Sequence, residues 1–377
     1  MKLIKYSLLV ALGAVAVSCS NDDPVLPEPE GTVVEGATPG EGGAFRGFYV
    51  LNEGNLGANK CTLDYYSFRN ATYTRNIYSA ANPNEVLELG DAGSDMAVYG
   101  NYLYIVVSGS NKVEVLDAAT AKKVAQVNVS SPRNIAFSGD YAYVTSWVGG
   151  DGDNGSLVRF STRDFVKVDS VSVGRMPEGL TVYDGQIFVA NTGDYTNPEY
   201  KNYISVVDVA PFAFKGNINA PINLQYISFD SYNRLWVSSR GNYADKPSCL
   251  ADFVKIDGAW YQGNGVEKPI SNMVVTGTEI MYIGTTYDAQ WKPTYAYGTV
   301  DLGVDSFTDG GSFITDGSEK DIKTPYALAV NPDTHAIVVT DAKNYVSSGT
   351  VYYYSRDGKL QWKVTAGDIP GHIAFVK

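Results

Sequence analysis

Seven times along the chain an apolar triplet is followed by a short polar turn and an apolar run rich in aromatic residues. Met96-Ala97-Val98 leads to Leu103-Tyr104-Ile105, Ile135-Ala136-Phe137 to Tyr143-Val144, and Leu180-Thr181-Val182 to Ile187-Phe188-Val189. Ile227-Ser228-Phe229 leads to Leu235-Trp236-Val237, Met273-Val274-Val275 to Met281-Tyr282-Ile283, and Leu328-Ala329-Val330 to Ile337-Val338-Val339. The last triplet, Ile373-Ala374-Phe375, ends at the C-terminus, and its continuation, Phe48-Tyr49-Val50-Leu51, lies near the N-terminus. Runs of this length, bounded by Gly, Asn, Asp and Pro, predict pairs of strands joined by tight turns. Stretches with the 3.6-residue period of a helix are nearly absent.

The triplets recur at spacings of 39, 45, 47, 46, 55 and 45 residues, the period of a four-stranded propeller blade. The predicted fold is therefore all-β, a seven-bladed β-propeller over residues 45–377. The split seventh repeat predicts that the C-terminal strand pairs with the N-terminal blade and closes the ring, which removes two sheet edges. One repeat read in full places strands at Asn134 to Ser138, Tyr141 to Trp147, Ser156 to Ser161 and Phe165 to Val171. Alternating strand direction puts the turns between first and second strands on one face. The loops after second strands and the connections between blades lie on the other.

The turns are short and uniform, as in Ser138-Gly139-Asp140 and Asn331-Pro332-Asp333, and read as scaffold. The opposite loops are long, dissimilar and rich in aromatic and amide groups, which is where a rigid scaffold usually carries function. Candidate ligand-binding residues are Trp147, Tyr195, Arg240, Tyr243, Tyr287, Trp291, Tyr295 and Tyr345 on loops. Arg175, Tyr326 and His372 join them from connections near the axis. Such a surface suits a ligand with flat apolar parts and many amides or hydroxyls. Tyrosines at loop bases also serve as caps on blade cores, so each of these rings has a structural alternative. Trp291, in the middle of the longest loop, is the leading anchor.

Composition narrows the classes. The formal net charge is −12, or −14 once Lys2 and Lys5 of the leader are removed, and no basic stripe exists, so nucleic acid is not an expected partner. Catalysis is not expected either. The two histidines, His335 and His372, form no cluster with cysteine at metal-site spacing, and no nucleophile elbow is present. No cofactor and no metal are predicted. Asp151-Gly152-Asp153-Asn154-Gly155 has the start of a calcium loop but lacks its distant glutamate, and reads first as a flexible acidic turn and second as a calcium site. Cys61 and Cys249 fall in the first and fifth blades, too far apart to pair, and are expected as two buried thiols.

Residues 1–18, with two lysines and an apolar run from Leu8 to Val17, read as a signal peptide too short to span a membrane. Ala16-Val17-Ser18-Cys19 resembles a bacterial lipoprotein cleavage box, which makes Cys19 the lipidated N-terminus. Ser20-Asn21-Asp22-Asp23 resembles the acidic signal that sends lipoproteins of Bacteroides-type bacteria to the cell surface. Residues 19–44, rich in Pro, Gly, Glu and Thr, are expected to be a flexible tether. The lipid is then the only contact with the membrane.

From Phe48 to about Leu116 the chain resembles a propeller family of Bacteroides-type surface lipoproteins. The resemblance is carried by Gly47-Phe48-Tyr49-Val50-Leu51-Asn52-Glu53-Gly54-Asn55, by Leu63-Asp64-Tyr65-Tyr66 and by Ser110-Asn111-Lys112-Val113-Glu114-Val115. It includes the BtuG-type cobalamin-binding lipoproteins, and so implies a vitamin B12 binder that serves a TonB-dependent transporter in the outer membrane. These motifs are blade framework, and no ligand residue carries over by match. Two other readings fit the loops: a glycan-binding surface lipoprotein, since stacked Trp and Tyr with amide donors also make a sugar platform, and an assembly protein that docks only the transporter.

Overall fold

Blade three shows how the repeat folds. Pro132–Ser138, Tyr141–Gly149, Gly155–Ser161 and Lys167–Ser172 form an antiparallel sheet, ordered from the axis outward. Tyr141 pairs with Ser138 across a two-residue turn whose first residue, Gly139, has φ 56°. The second strand runs two residues further into the loop than expected. Ala142, Tyr143, Val144 and Thr145 are all fully buried, because each blade is stacked on both faces. This is why the strands read as apolar runs and not as a clean alternation.

In a computed structural model, which describes residues 31–85, 88–193, 201–304 and 306–377, seven such sheets form a seven-bladed β-propeller. The innermost strands touch in cyclic order, from Gly93–Tyr99 of blade two round to Pro325–Val330 of blade seven and Pro370–Val376 of blade one. The C-terminal strand pairs with the N-terminal blade as predicted, and the register sets Phe48 opposite Phe375, Tyr49 opposite Ala374 and Val50 opposite Ile373. The seam is filled by aromatic rings. Trp362 of blade seven stacks on Tyr353 at 4.8 Å and meets Tyr66 of blade one at 4.4 Å.

Each inner strand slips by a residue near its start, at a bulge. A buried hydroxyl in the neighbouring strand accepts the bulged N–H: Thr145 from Asn134, Ser238 from Tyr226, and Thr340 from Ala327. A bulge re-aims the side chain it carries. Here it does so where the inner strands begin, at the loop-face end of the axis.

Two expectations need correction. The tether does not run free to residue 44. Thr32–Val33 pairs with Thr72–Thr74 as a fifth strand on blade one, and Val34 is buried in the seam between blades one and seven. Ala44 then donates to Asp333 at 2.8 Å, and Asn331 to the Gly42 carbonyl at 3.2 Å. Three β-branched residues, Thr32-Val33-Val34, supply the strand propensity that the Pro and Gly around them obscured. The sixth-blade loop is also more ordered than expected. Glu279–Tyr287 and Pro293–Leu302 continue as a paired ribbon up to Tyr287 and Pro293, leaving only a five-residue tip. Cys61 is buried and Cys249 half-buried, and both are free.

Candidate functional site: a cleft and an axial cluster on the loop face

Between blades five and six the loop face opens into a cleft of ≈ 620 Å³ lined by Arg240, Tyr243, Lys246, Lys268, Tyr287 and Trp291, among others. Two five-residue loops of like design form its rim. In Asn242–Lys246 the Asn242 side-chain oxygen accepts from Ala244 and Lys246 N–H, and in Asp288–Lys292 the Asp288 carboxylate accepts from Gln290 and Lys292 N–H. Each loop is tied again at its ends by a backbone bond of 3.1 Å. Short polar side chains folded back on the backbone rigidify such turns.

The rings on these loops sit where rings rarely sit. Tyr243 has φ 58°, Trp291 60° and Tyr345, on the blade-seven loop, 61°. A bulky residue in the left-handed region carries strain of order 1–2 kcal/mol that Gly would not carry, so the ring has a value beyond the turn itself. All three are exposed, Trp291 by 69%. Tyr287 and Trp291 lie 5.9 Å apart with their planes tilted by 51°.

The remaining candidates fall nearer the axis. Tyr345 meets Tyr326 edge to face at 5.9 Å, and Tyr326 donates to Glu53 at 2.9 Å. His372 lies against two carboxylates, with Nε2 3.2 Å from Glu53 and Nδ1 3.6 Å from Asp95. Burial alone would lower the His372 pKa. The Glu53 hydrogen bond and the charges of Glu53 and Asp95 outweigh it, and the net shift is upward. Tyr326 is pushed well up by burial and by Glu53, and burial lifts Tyr226 to about 12. Arg133 bridges to Glu178 at 3.2 Å and lies 4.4 Å over the Trp147 ring, whose buried Nε1 has no hydrogen-bond partner among the described residues.

The structure thus divides the candidates. Arg240, Tyr243, Tyr287 and Trp291 share one cleft, while Tyr326, Tyr345 and His372 gather at the axis. Trp147 is half-buried beneath Arg133 beside them. Tyr295 pairs with Thr285 in the ribbon and packs on the core between blades six and seven, so it is a cap more than a contact. Arg175 is held by Asp153 at 3.4 Å. Among the described residues no group of three or more ligating side chains assembles, at Asp151-Asp153 or elsewhere. Tyr195 and Cys19 lie outside the described residues.

Glu53, Asp95, Tyr226 and Lys246 escaped the sequence reading. One signal was available for Asp95 and Tyr226: like His372, each stands immediately before its apolar triplet, at the bulge. The triplet repeats while the residue before it changes, as expected of a framework that aims different chemistry at one point.

Comparison with known proteins bears on the fold alone. The family described as a domain of unknown function, DUF5074, matches residues 46–219, which end with the outer strand of blade four. A search of curated protein sequences finds no match. Among solved structures, a quinoprotein alcohol dehydrogenase-like protein from Bacteroides thetaiotaomicron is similar at 19% identity and TM-score 0.62, over 88% of this chain and 78% of that one. A functionally unknown protein from Desulfotomaculum acetoxidans is similar at 11% and 0.61, over 87% and 98%. A putative 6-phosphogluconolactonase from Bacteroides uniformis is similar at 11% and 0.57, over 88% and 100%. What these share with the chain is the propeller.

Proposed function

We propose that the protein is a cell-surface lipoprotein, anchored at Cys19, whose loop face binds cobalamin without turnover and passes it to an outer-membrane TonB-dependent transporter. The observation that carries the binding role is the cleft between blades five and six, with its strained, exposed rings on loops held by their own hydrogen bonds. Preorganised aromatic anchors lose little entropy on binding and are the usual source of affinity. A corrin is a wide, flat ring edged with amides. The rim rings can lie along its face, while the Tyr326, Glu53 and Arg133 groups toward the axis can pair its amides. His372 has a carboxylate beside each ring nitrogen, so it serves that network and is not offered to cobalt. The choice of cobalamin rests on the framework resemblance and on this fit of shape.

Titration calorimetry with cyanocobalamin is the direct test, with one ligand bound per chain and no change in its spectrum on long incubation. A flat titration at micromolar protein would remove the cobalamin reading. The size of the cleft favours one other ligand class: ≈ 620 Å³ flanked by two tilted rings suits a few sugar units as well as an edge of a corrin. Binding of a defined oligosaccharide alongside a flat cobalamin titration would establish the glycan reading.

A further inference from the structure

Charged groups that are partly withdrawn from water are normally paired. The half-buried and buried arginines of this chain obey that rule with one exception. Arg133, Arg159 and Arg234 hold carboxylates, Arg46 holds the Lys377 carbonyl, and Arg175 meets Asp153. Arg240, half-buried in the cleft wall, has no partner for its guanidinium among the described residues. Its backbone is nonetheless fixed: Arg240 N–H donates to Asn223, and its carbonyl accepts from Ser248 at 3.0 Å. A second cation, Lys246, is folded back to the same cleft, with no ion pair among the described residues. Gly241, at φ 63°, turns the chain so closely on Lys246 that a Cβ there would stand 2.1 Å from the Lys246 carbonyl. The Lys246 backbone is thereby fixed to Asn242, and its side chain lines the same cleft as that of Arg240.

Among the described residues no carboxylate forms an ion pair with Arg240 or Lys246, although the Lys246 charge, after the Asn242 hydrogen bond, helps to hold the Asp245 carboxyl low. Asp245 is bonded to the Asn242 amide at 2.7 Å, Asp288 is turned into its own loop, and Asp309 is engaged by Lys268 at 2.5 Å. Glu267 is the one other lining carboxylate. Two cations that line one cleft, neither in an ion pair among the described residues, oppose the field of a protein of net charge −12.

We propose that the cleft takes an anionic group of its ligand, a phosphate or a carboxylate, between Arg240 and Lys246, with a flat part of the same ligand against Tyr243, Tyr287 and Trp291. This rests on the cleft being the ligand site and specifies the ligand's chemistry within it. A phosphodiester on a corrinoid and a uronic acid in a glycan both supply that anion.

The experiment uses the folded protein and two matched pairs of probes. The first pair is cyanocobalamin and dicyanocobinamide, the same ring without the phosphodiester nucleotide. The second is an oligogalacturonate and a neutral galactose oligomer of equal length. In whichever pair binds, the member that carries the phosphodiester or the carboxylates should bind at least about tenfold more tightly at low salt, as one or two charge-assisted hydrogen bonds supply. Arg240→Gln should erase that preference, and added salt should shrink it. Arg356→Gln, on an exposed turn of the opposite face, should preserve it and controls for general charge. Equal binding of the neutral partner, or a preference that survives Arg240→Gln, overturns the anion site. Equal binding of both corrinoids overturns the anion site while the cobalamin reading stands. Oligogalacturonate binding that depends on Arg240, with no corrinoid binding, leaves the anion site standing and ends the cobalamin reading. Failure of all four probes counts against both.

Discussion

At the scale of single residues, the informative side chains are those whose backbone is uncomfortable. Tyr243, Trp291 and Tyr345 each occupy a left-handed position that Gly or Asn would hold at less cost. Trp291→Gly should therefore weaken ligand binding by about 2 kcal/mol or more, the loss expected of a central aromatic anchor. It should leave the melting temperature unchanged or slightly raised, because relief of the left-handed conformation is worth about 1 kcal/mol. Calorimetry together with thermal melts checks both halves. A fall in stability with no loss of binding would mean that the ring serves the fold. Asp140→Ala, at an exposed turn on the other face, is a fair control for that comparison. Asn331, in another of the short scaffold turns, is not: it is fully buried and holds both its own turn and Gly42.

At the scale of elements, the seam between blades one and seven is reinforced twice. The closing strand Pro370–Val376 pairs along Gly47–Asn52, and the segment from Gly31 to Phe45 wraps the outside of the same blade. Adjacent residues in that wrap differ sharply, since Val34 is 4% exposed and Val33 72%. Val34→Asp should cost about 2 kcal/mol or more by placing an unpaired charge in the seam. Val33→Asp should change stability by less than about 0.5 kcal/mol. Chemical denaturation of both variants checks the contrast, and equal behaviour would mean that the fifth strand does not hold in solution.

At the scale of the whole molecule, charges and hydroxyls near the axis staple one blade to the next. Glu53 reaches Tyr326 of blade seven, Asp95 of blade two accepts the Ile135 N–H of blade three, and Arg133 reaches Glu178 of blade four. His372 sits in this circuit between two carboxylates, and its folded pKa is raised from the ordinary 6.5. A raised histidine pKa contributes stability that is complete below the unfolded value and lost as pH climbs through the folded one. The melting temperature should fall as pH rises from about 6 towards 9, and His372→Gln should flatten that slope. An unaltered slope in the variant would place the pH dependence elsewhere.

Fold and closure were legible in the chain because both are written locally. A repeated triplet, a tight turn and a split last repeat specify the strands, their order and the pairing of the last strand with the first blade, while the register of Phe48 with Phe375 came from the structure. The rings of the loop face were legible for the same reason: Tyr243, Tyr287 and Trp291 stand out as large apolar groups in polar, irregular stretches. Which of them meet was decided by the ring as a whole. Blades five and six bring Arg240 and Trp291 to one cleft across about fifty residues of chain, while Tyr326, Tyr345 and His372 turn inward to Glu53 from opposite ends of the sequence. Pairing of charges was equally invisible, because whether Arg240 finds a carboxylate depends on what the neighbouring blade presents. Local periodicity encodes strands, but partnership between side chains far apart in sequence exists only once the circle has closed.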